Sequence, residues 1–394
     1  MSTNKIPKIR FKGFTEEWEV KKLSELLQLE NGYAFKSEYF QSKTSEYIVL
    51  TPGNVHLKGG FQYGKGNYYN ILGKYPERFN LKAGDIFVTM TDLTPTAQTL
   101  GLPAIVPDDG NKYLHNQRLG KLTNLKGDKE FLFQLLCSSK NQKKIVVTSS
   151  GTTVKHTSPQ KILDCINHFP KQEEQTKIGS FFENIDQLVN QHQTQHKKLT
   201  ALKKAMLSKL FPKQGKKIPE IRFKGFNEEW EVKKLNEVTT YRSSTLSVSD
   251  AKEVGNYELY DANKVIGYTD NYIQSCEYIS IIKDGSGVGR LRLLPKNTSF
   301  IGTLGAIIAN NVDIYFIYNY LQIIDLIKHV TGATIPHVYF KDYGEDEYLI
   351  PVDKKEQEKI GNYFQNLDSL IANHSQQLEK LEVLKKACLA KMFV

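Results

Sequence analysis

The chain is written twice, and that repetition limits its fold more than any other feature. Residues Lys5 to Leu23 read KIPKIRFKGFTEEWEVKKL, and residues Lys217 to Leu235 read KIPEIRFKGFNEEWEVKKL. Only Lys8/Glu220 and Thr15/Asn227 differ. A second pair closes each half. Ile178 to Phe211 aligns with Ile360 to Phe393, sharing Ile-Gly, Phe182/Phe364, Asn184/Asn366, Asp186/Asp368 and a Leu-Lys-Lys-Ala run that ends at Ala205 and Ala387. Just upstream, SGTTVKH (150–156) echoes TGATIPH (331–337). The halves are offset by 212 residues at their start and 182 at their end, so 30 extra residues lie in the middle of the first half. The middles, 27–149 and 239–330, otherwise share little. Internal repeats report an architecture before any residue-level reading does. A duplicated catalytic domain keeps its reacting residues in both copies. Here the frame is kept and the contents differ, which is the pattern of one scaffold presenting two different readers.

The closing segments predict two long helices. Ile178, Phe181, Ile185, Leu188, His192, Gln195, Leu199, Leu202, Met206 and Lys209 step by alternating three and four. The second copy gives Ile360, Tyr363, Leu367, Leu370, His374, Gln377, Leu381, Leu384, Cys388 and Lys391. Mostly apolar a and d positions over this length predict a coiled coil. Both heptad series break at the same central place, with His then Gln. In an antiparallel pair with a pseudo-twofold axis, His192 and Gln195 face Gln377 and His374 as a polar layer that fixes register. The alternative is that these four residues face solvent or a third helix. The middles read as mixed α and β with short strands. Gly84 to Thr91 and Glu277 to Gly285 are expected to alternate as half-buried strands after turns.

A chain of 394 residues accommodates two domains with separate cores. The 53 basic and 43 acidic side chains give a formal charge of +10, which suits a polyanionic partner. The opening Met1 to Lys5 lacks the apolar segment of a signal peptide. The apolar stretch from Ser299 to Ile327 carries Asn310, Asn311 and Asp313, so it reads as buried strand and helix rather than a membrane span. Cys137, Cys165, Cys276 and Cys388 form no CxxC pair and read as four buried thiols of a reducing cytoplasm.

These features, in this order and duplicated, resemble the specificity subunits of type I restriction–modification systems over essentially the whole chain. GYAFKSEYF (32–40), GDIFVTMTD (84–92) and HNQR (115–118) look like target-recognition-domain sequence in the first middle. GNYELYDAN (255–263), VIGYTD (265–270) and IKDGSGVG (282–289) resemble another such type in the second. The helix openings at Glu173–Ile178 and Glu356–Ile360 match the frame's Glu-Gln-x-Lys-Ile. The resemblance implies an α+β (mixed α/β) fold with an internal repeat. Frame segments fall at 1–26 and 213–238, target-recognition domains at 27–170 and 239–351, and long helices at 171–212 and 352–394. It implies that each domain reads one half of a split site on double-stranded DNA. The helices then act as spacer and dock two methyltransferase subunits, which motor-nuclease subunits join. S-adenosylmethionine, ATP and Mg belong to those partners; no cofactor and no metal is expected on this chain, and no membrane.

Sequence-specific reading needs forked or amide side chains: Arg toward guanine, Asn or Gln toward adenine, with Tyr and Thr in support. The candidates in the first domain are Tyr33, Lys36, Asn54, His56, Thr91, Thr94, Gln98, Asn116, Gln117 and Arg118. Those in the second are Tyr241, Arg242, Ser243, Asn263, Lys264, Lys283, Arg290 and Arg292. The repeated Gly-x-Thr-x-x-His loops add Gly151, Thr153, Lys155, His156, Gly332, Thr334 and His337. Since both copies keep Gly, Thr and His, a turn-shaping role or a phosphate contact is expected there over base reading. Trp18 and Trp230, in the kept frame, are expected in the core or at a docking face.

Catalytic motifs are absent from the sequence: no GxxxxGK[ST], no Asn/Asp-Pro-Pro-aromatic run, no HExxH and no Cys/His metal spacing. Pro107-Asp108-Asp109 with Asp250-Ala-Lys252 only loosely resembles a nuclease site. Two rival readings stay open at this point: an enzyme with a divergent nuclease or transferase site, and a coiled-coil adaptor without a nucleic-acid role.

Overall fold

The computed structural model describes residues 5–213 and 215–394; Met1 to Asn4, on which the absence of a leader was argued, lie outside the described residues. The chain forms two compact units, one of Met1–Gln191 with Gln377–Val394, the other of His192–Gln376.

In the first unit the frame strand Glu19–Lys22 pairs antiparallel with Ile166–Phe169, just before the first long helix. The main sheet has four antiparallel strands in the order Gln28–Asn31, Leu119–Thr123, Ile86–Thr89, Pro103–Ile105. A second sheet of five short strands is built around a parallel pair, Tyr47–Val49 with Lys112–Leu114. The second unit repeats this plan. Glu231–Lys234 pairs with Glu347–Ile350. The main sheet runs Thr239–Ser243, Leu304–Ala309, Tyr278–Ile282, Leu291–Leu294. The second sheet keeps the parallel pair, Tyr257–Tyr260 with Ser299–Phe300, but has only three strands. The first unit, in its longer middle, adds the edge strands Phe40–Gln41 and Asn80–Leu81.

The central strands do not alternate as expected. All four residues of Ile86–Thr89 and all five of Tyr278–Ile282 are buried. Each strand lies between two cores. Ile86 and Val88 join the core beneath the helices while Phe87 faces the core of the second sheet. Ile279 and Ile281 likewise oppose Tyr278 and Ile282. A strand covered on both faces reads as an apolar run. The stretch from Ser299 folds as two strands and the helix Ile314–Leu321, and among the described residues no helix is long and apolar enough to cross a membrane. Cys165 and Cys388 are buried, but Cys137 is only partly so and Cys276 is exposed, correcting the expectation of four buried thiols.

The repeated motifs turn out to be the joint between frame, domain and helix. Trp18 and Trp230 are buried. Arg10 grips Glu174 with Nε and Nη2, both at 2.7 Å, and Arg222 grips Glu356 at 2.7 and 2.8 Å. Both carboxylates are almost fully buried, so the bidentate geometry matters: each charge is compensated by two short charge-assisted hydrogen bonds. The following glutamine staples the helix to its domain. Gln175 Oε1 accepts from Asp128 N at 3.1 Å, and its Nε2 donates to Pro170 O at 2.9 Å. Gln357 does the same with Asp313 N at 3.0 Å and Pro351 O at 2.9 Å. Asp128 and Asp313 in turn cap the helices Lys129–Cys137 and Ile314–Leu321. The Ile-Gly that follows needs its glycine: a Cβ at Gly179 or Gly361 would lie 2.4 or 2.2 Å from the capping carboxylate.

The long helices are Gln172–Leu207 and Lys354–Met392, of 36 and 39 residues, or roughly 55 Å each at ~1.5 Å per residue. Lys209 lies beyond the end of the first. Within each unit they run antiparallel. In the first, Phe182 stacks on Phe393 at 6.0 Å and Asp186 pairs with Lys385 at 2.6 Å. In the second, Phe364 stacks on Phe211 at 6.0 Å, Asp368 pairs with Lys203 at 2.6 Å, and His192 meets His374.

The inward stripe departs from the expected heptad by one residue at every second position. Phe182, Val189, His196 and Lys203 face inward, whereas Leu188, Gln195 and Leu202 are exposed. The second helix repeats the pattern: Phe364, Ile371, Leu378 and Lys385 are turned in, and Leu370, Gln377 and Leu384 are exposed. The step is four then three. The ambiguity is in the sequence itself, since Phe181-Phe182 and Leu188-Val189 put an apolar residue at both alternatives. Gln195 and Gln377 are therefore not part of a buried layer. His192 and His374 are half-buried and face each other, Nδ1 to Nδ1 at 2.8 Å. They are the same position of the repeat, so an antiparallel pairing brings like to like.

Candidate nucleic-acid interface

Tight backbone pairing gathers one group of candidates in the first unit. Tyr33 bridges to Asn116, Tyr33 N donates to His115 O at 2.8 Å, and Gln117 N donates to Tyr33 O at 3.0 Å. Gly32 permits this: a Cβ there would sit 2.1 Å from Asn116 O. The Tyr33 ring is absorbed by Phe35 and Phe79 at 5.1 and 5.2 Å, while Gln117 and Arg118 are exposed beside it. Asn116 Oδ1 is used locally, accepting Arg118 N at 2.9 Å. Lys36 is exposed, 3.6 Å from Glu38.

A second group surrounds the loop after the central strand. Thr91 and Asp92 pair antiparallel with His156 and Lys155. Asp92 organises the loop. One oxygen accepts Thr94 N and Oγ1 at 2.7 and 2.6 Å, the other accepts Thr99 N and Oγ1 at 2.6 and 2.7 Å. Burial works to raise the Asp92 pKa, but these four donors outweigh it and hold the carboxyl below its ordinary value. Gln98 and Thr153 are exposed here, and Thr94 is half-buried. Two candidates fall outside both groups. His56 is exposed on its own turn, its Nδ1 accepting Lys58 N at 3.3 Å. Asn54 is buried, with Oδ1 accepting Thr51 N at 2.9 Å and Nδ2 donating to Gln62 O at 3.2 Å, so it shapes a turn and cannot present an amide to a base.

In the second unit four candidates converge. Arg290 donates to Ala262 O and, at 2.7 Å, to Asn263 Oδ1. Arg292 donates to Asp261 O at 3.4 Å and lies 5.7 Å from the Tyr260 ring centre. Lys264 N is fixed by Asp261 Oδ1 at 2.6 Å. Each guanidinium has five donors, so these contacts orient the arginines and leave donors for a ligand. Arg242 and Ser243 are exposed on the edge strand Thr239–Ser243, with Arg242 Nη1 donating to Ile273 O at 3.1 Å. Tyr241 belongs to packing instead: its ring lies parallel to Phe340 at 5.0 Å, and burial pushes its hydroxyl up to about 12. Lys283 is ion-paired with Asp284, and Thr334 is exposed.

The nuclease-like fragments are spent locally. Asp109 accepts the Tyr113 hydroxyl at 2.8 Å, Asp250 closes the turn at Ser247, and Lys252 pairs with Asp270. Among the described residues no three His, Cys, Asp or Glu side chains converge as a metal site. Sequence reasoning missed Asp92 and Asp284 as loop organisers. The available signal was position: both lie just past a central strand in the segment that pairs with the kept turn, Asp284 opposite His337 and Asp92 opposite Lys155, one residue beyond the Thr91 that faces His156.

Fold and surface together define a duplicated scaffold that carries two unlike polar surfaces. The type I restriction modification DNA specificity domain matches residues 15–201 and 227–383, and the chain belongs to that family. It is a type I restriction–modification specificity subunit with two DNA-recognition domains. It is 22% identical to the type I restriction enzyme MjaIX specificity subunit of Methanocaldococcus jannaschii, over 96% of this chain and 93% of that protein. The MjaVIII specificity subunit of the same organism is 28% identical over 50% of this chain and 45% of its own length. In fold, the type I restriction–modification S subunit from M. genitalium superposes with a TM-score of 0.73 at 18% identity, covering 99% of both chains.

Proposed function

We propose that each domain reads one half of a bipartite site on double-stranded DNA, the domains comprising residues 27–170 and 239–351. The helices set the spacer and dock two methyltransferase subunits, which motor-nuclease subunits join in the cytoplasm. The chain itself is non-catalytic, and S-adenosylmethionine, ATP and Mg bind on the partners. One observation carries this reading. The joint built from Arg10, Glu174, Gln175 and Gly179 is reproduced atom for atom by Arg222, Glu356, Gln357 and Gly361, while the polar loops it supports share no side-chain pattern. The net charge of +10 supports a phosphate-tracking contact. The leucines left exposed at equivalent positions, Leu188 with Leu370 and Leu202 with Leu384, are candidate docking positions for the partner subunits.

Mapping modified bases in a genome that expresses this chain with its methyltransferase tests the reading. The expected motif has two defined halves separated by a fixed run of unspecified bases. A continuous motif contradicts it. Binding of the complex is expected to fall log-linearly and steeply with salt, and a flat dependence argues against phosphate tracking. Inserting four residues after Thr200 lengthens that helix by about 6 Å. Both half-sites are expected to stay unchanged with a spacer longer by about one or two base pairs, at roughly 3.4 Å each; an unchanged spacer with retained activity refutes the ruler.

A further inference from the structure

The two kept histidines do the same thing in both units, and what they touch is not kept. In the first unit Ser150 and His156 exchange backbone hydrogen bonds, both at 2.9 Å, and close a tight turn. In the second Thr331 and His337 do so at 2.9 and 2.7 Å. Gly151 and Gly332 sit inside these turns at φ +95° and +92°, and a Cβ would meet Val154 O at 2.0 Å or Ile335 O at 2.3 Å. Only glycine fits. The residue after each histidine ties the turn to the exit of the central strand: Thr157 N donates to Met90 O, and Val338 N to Lys283 O, both at 2.9 Å. Each imidazole then reaches the next residue of the exit through the same atom. Nδ1 of His156 lies 3.2 Å from Thr91 Oγ1, and Nδ1 of His337 lies 2.8 Å from Asp284 Oδ1.

Beyond that contact the loops are unlike. The first is held by Asp92 and carries Thr94 and Gln98. The second turns on Gly285, Gly287 and Gly289, all at positive φ, and leads to Arg290. We propose that His156 and His337 are positioning residues, which pin the root of the reading loop in their own domain through Nδ1 and do not themselves contact DNA. This rests on the reading that the domains recognise separate half-sites. Histidine suits the task because its Nδ1 donates to a carboxylate in one tautomer and accepts from a hydroxyl in the other. One pin therefore serves loops whose first side chain is Thr in one case and Asp in the other.

The rival role is a direct phosphate or base contact through Nε2, and two amides separate them. An asparagine side chain places its amide near the position of Nδ1, and a glutamine places its amide near Nε2. His156→Asn, His156→Gln, His337→Asn and His337→Gln are expressed in the full chain with the methyltransferase, and methylated motifs are mapped. The Gln variants are expected to raise methylation of singly mismatched sites by about tenfold, within the range that one base pair of discrimination commands. The mismatches are expected only in the half-site of the mutated domain, with the other half still sharp as an internal control of folding. The Asn variants are expected to stay close to the parent. Loss with Asn but not Gln, relaxation of both half-sites together, or death of all four variants overturns the proposal. Exchanging residues 27–149 for those of another such subunit is run alongside. If the exchange alters one half-site while both Gln variants stay sharp, only the pin is wrong; if the exchange alters neither half, the reading of separate half-sites has failed.

Discussion

The two units share a main sheet, a helix joint and a histidine turn, and differ in how they stiffen what those elements hold. The first unit supports a five-stranded second sheet and fastens its loop with one buried carboxylate taking four hydrogen bonds. The second makes do with three strands, and shapes its loop with three glycines and a pair of arginines braced on a turn. The difference teaches that rigidity, not any particular fastening, is what the scaffold demands. Reading surfaces need side chains in fixed places, and the backbone can be fixed by a buried carboxylate or by backbone hydrogen bonds in turns that glycine permits, such as Gly285 N to Pro336 O at 2.9 Å and Gly289 N to Ile282 O at 2.8 Å.

The largest effect is expected at the helix joints. Removing one partner of a buried ion pair leaves a charge uncompensated, at a cost of about 3–5 kcal/mol. Glu174→Ala and Glu356→Ala each do this to the unit that contains them. Glu174 also accepts the Trp18 indole N–H at 3.2 Å, whereas the buried Trp230 indole N–H finds no acceptor among the described residues. Denaturant unfolding of the full chain is thus expected to show the greater loss for Glu174→Ala, by about 1 kcal/mol. Equal losses would mean that the indole contact contributes nothing.

Acid should separate the units next. His115 is buried in the first unit, with Nε2 against Leu119 O at 2.9 Å, and burial pushes its pKa down to about 4. The unfolded chain binds that proton near pH 6.5 and the fold resists it until about 4. Stability of the first unit therefore falls as pH drops through that window, by about 3 kcal/mol at ~1.36 kcal/mol per pH unit. Unfolding midpoints followed by hydrogen exchange in the two units give the check. His115→Gln is expected to flatten the slope of the first unit, and an unchanged slope places the sensitivity elsewhere.

The smallest effect is expected from the facing histidines of the second unit. A polar pair in an antiparallel helix seam is maintained at a cost relative to apolar packing. The double substitution His192→Leu, His374→Leu is expected to stabilise that unit by about 1 kcal/mol. A fall in its melting temperature would make the pair a net stabilising contact.

Much of this architecture is legible in the sequence because duplication supplies its own control. The frame, the long helices and the turn at Gly-x-Thr-x-x-His are each seen twice, and the structure places each copy in matching surroundings. Three things were not legible. The seam ran one residue over because Phe181-Phe182 and Leu188-Val189 offer apolar groups to either choice, and only packing decides. The central strands lost their alternation because a second sheet covers their other face, a tertiary fact whose one local trace is the unbroken apolar run Ile86-Phe87-Val88. Asn54 and Tyr241 have the chemistry of base readers but are consumed by a turn and a ring stack. Residue type alone cannot distinguish a polar group spent inside from one offered outside.

The central claim is that one kept frame presents two independent readers, and a domain exchange tests it most directly. Residues 27–149 are replaced by the matching segment of another specificity subunit whose half-sites are known, and the methylome of the complex is sequenced. The account predicts that one half-site becomes that of the donor while the other half and the spacer remain as before. A motif changed in both halves would contradict it.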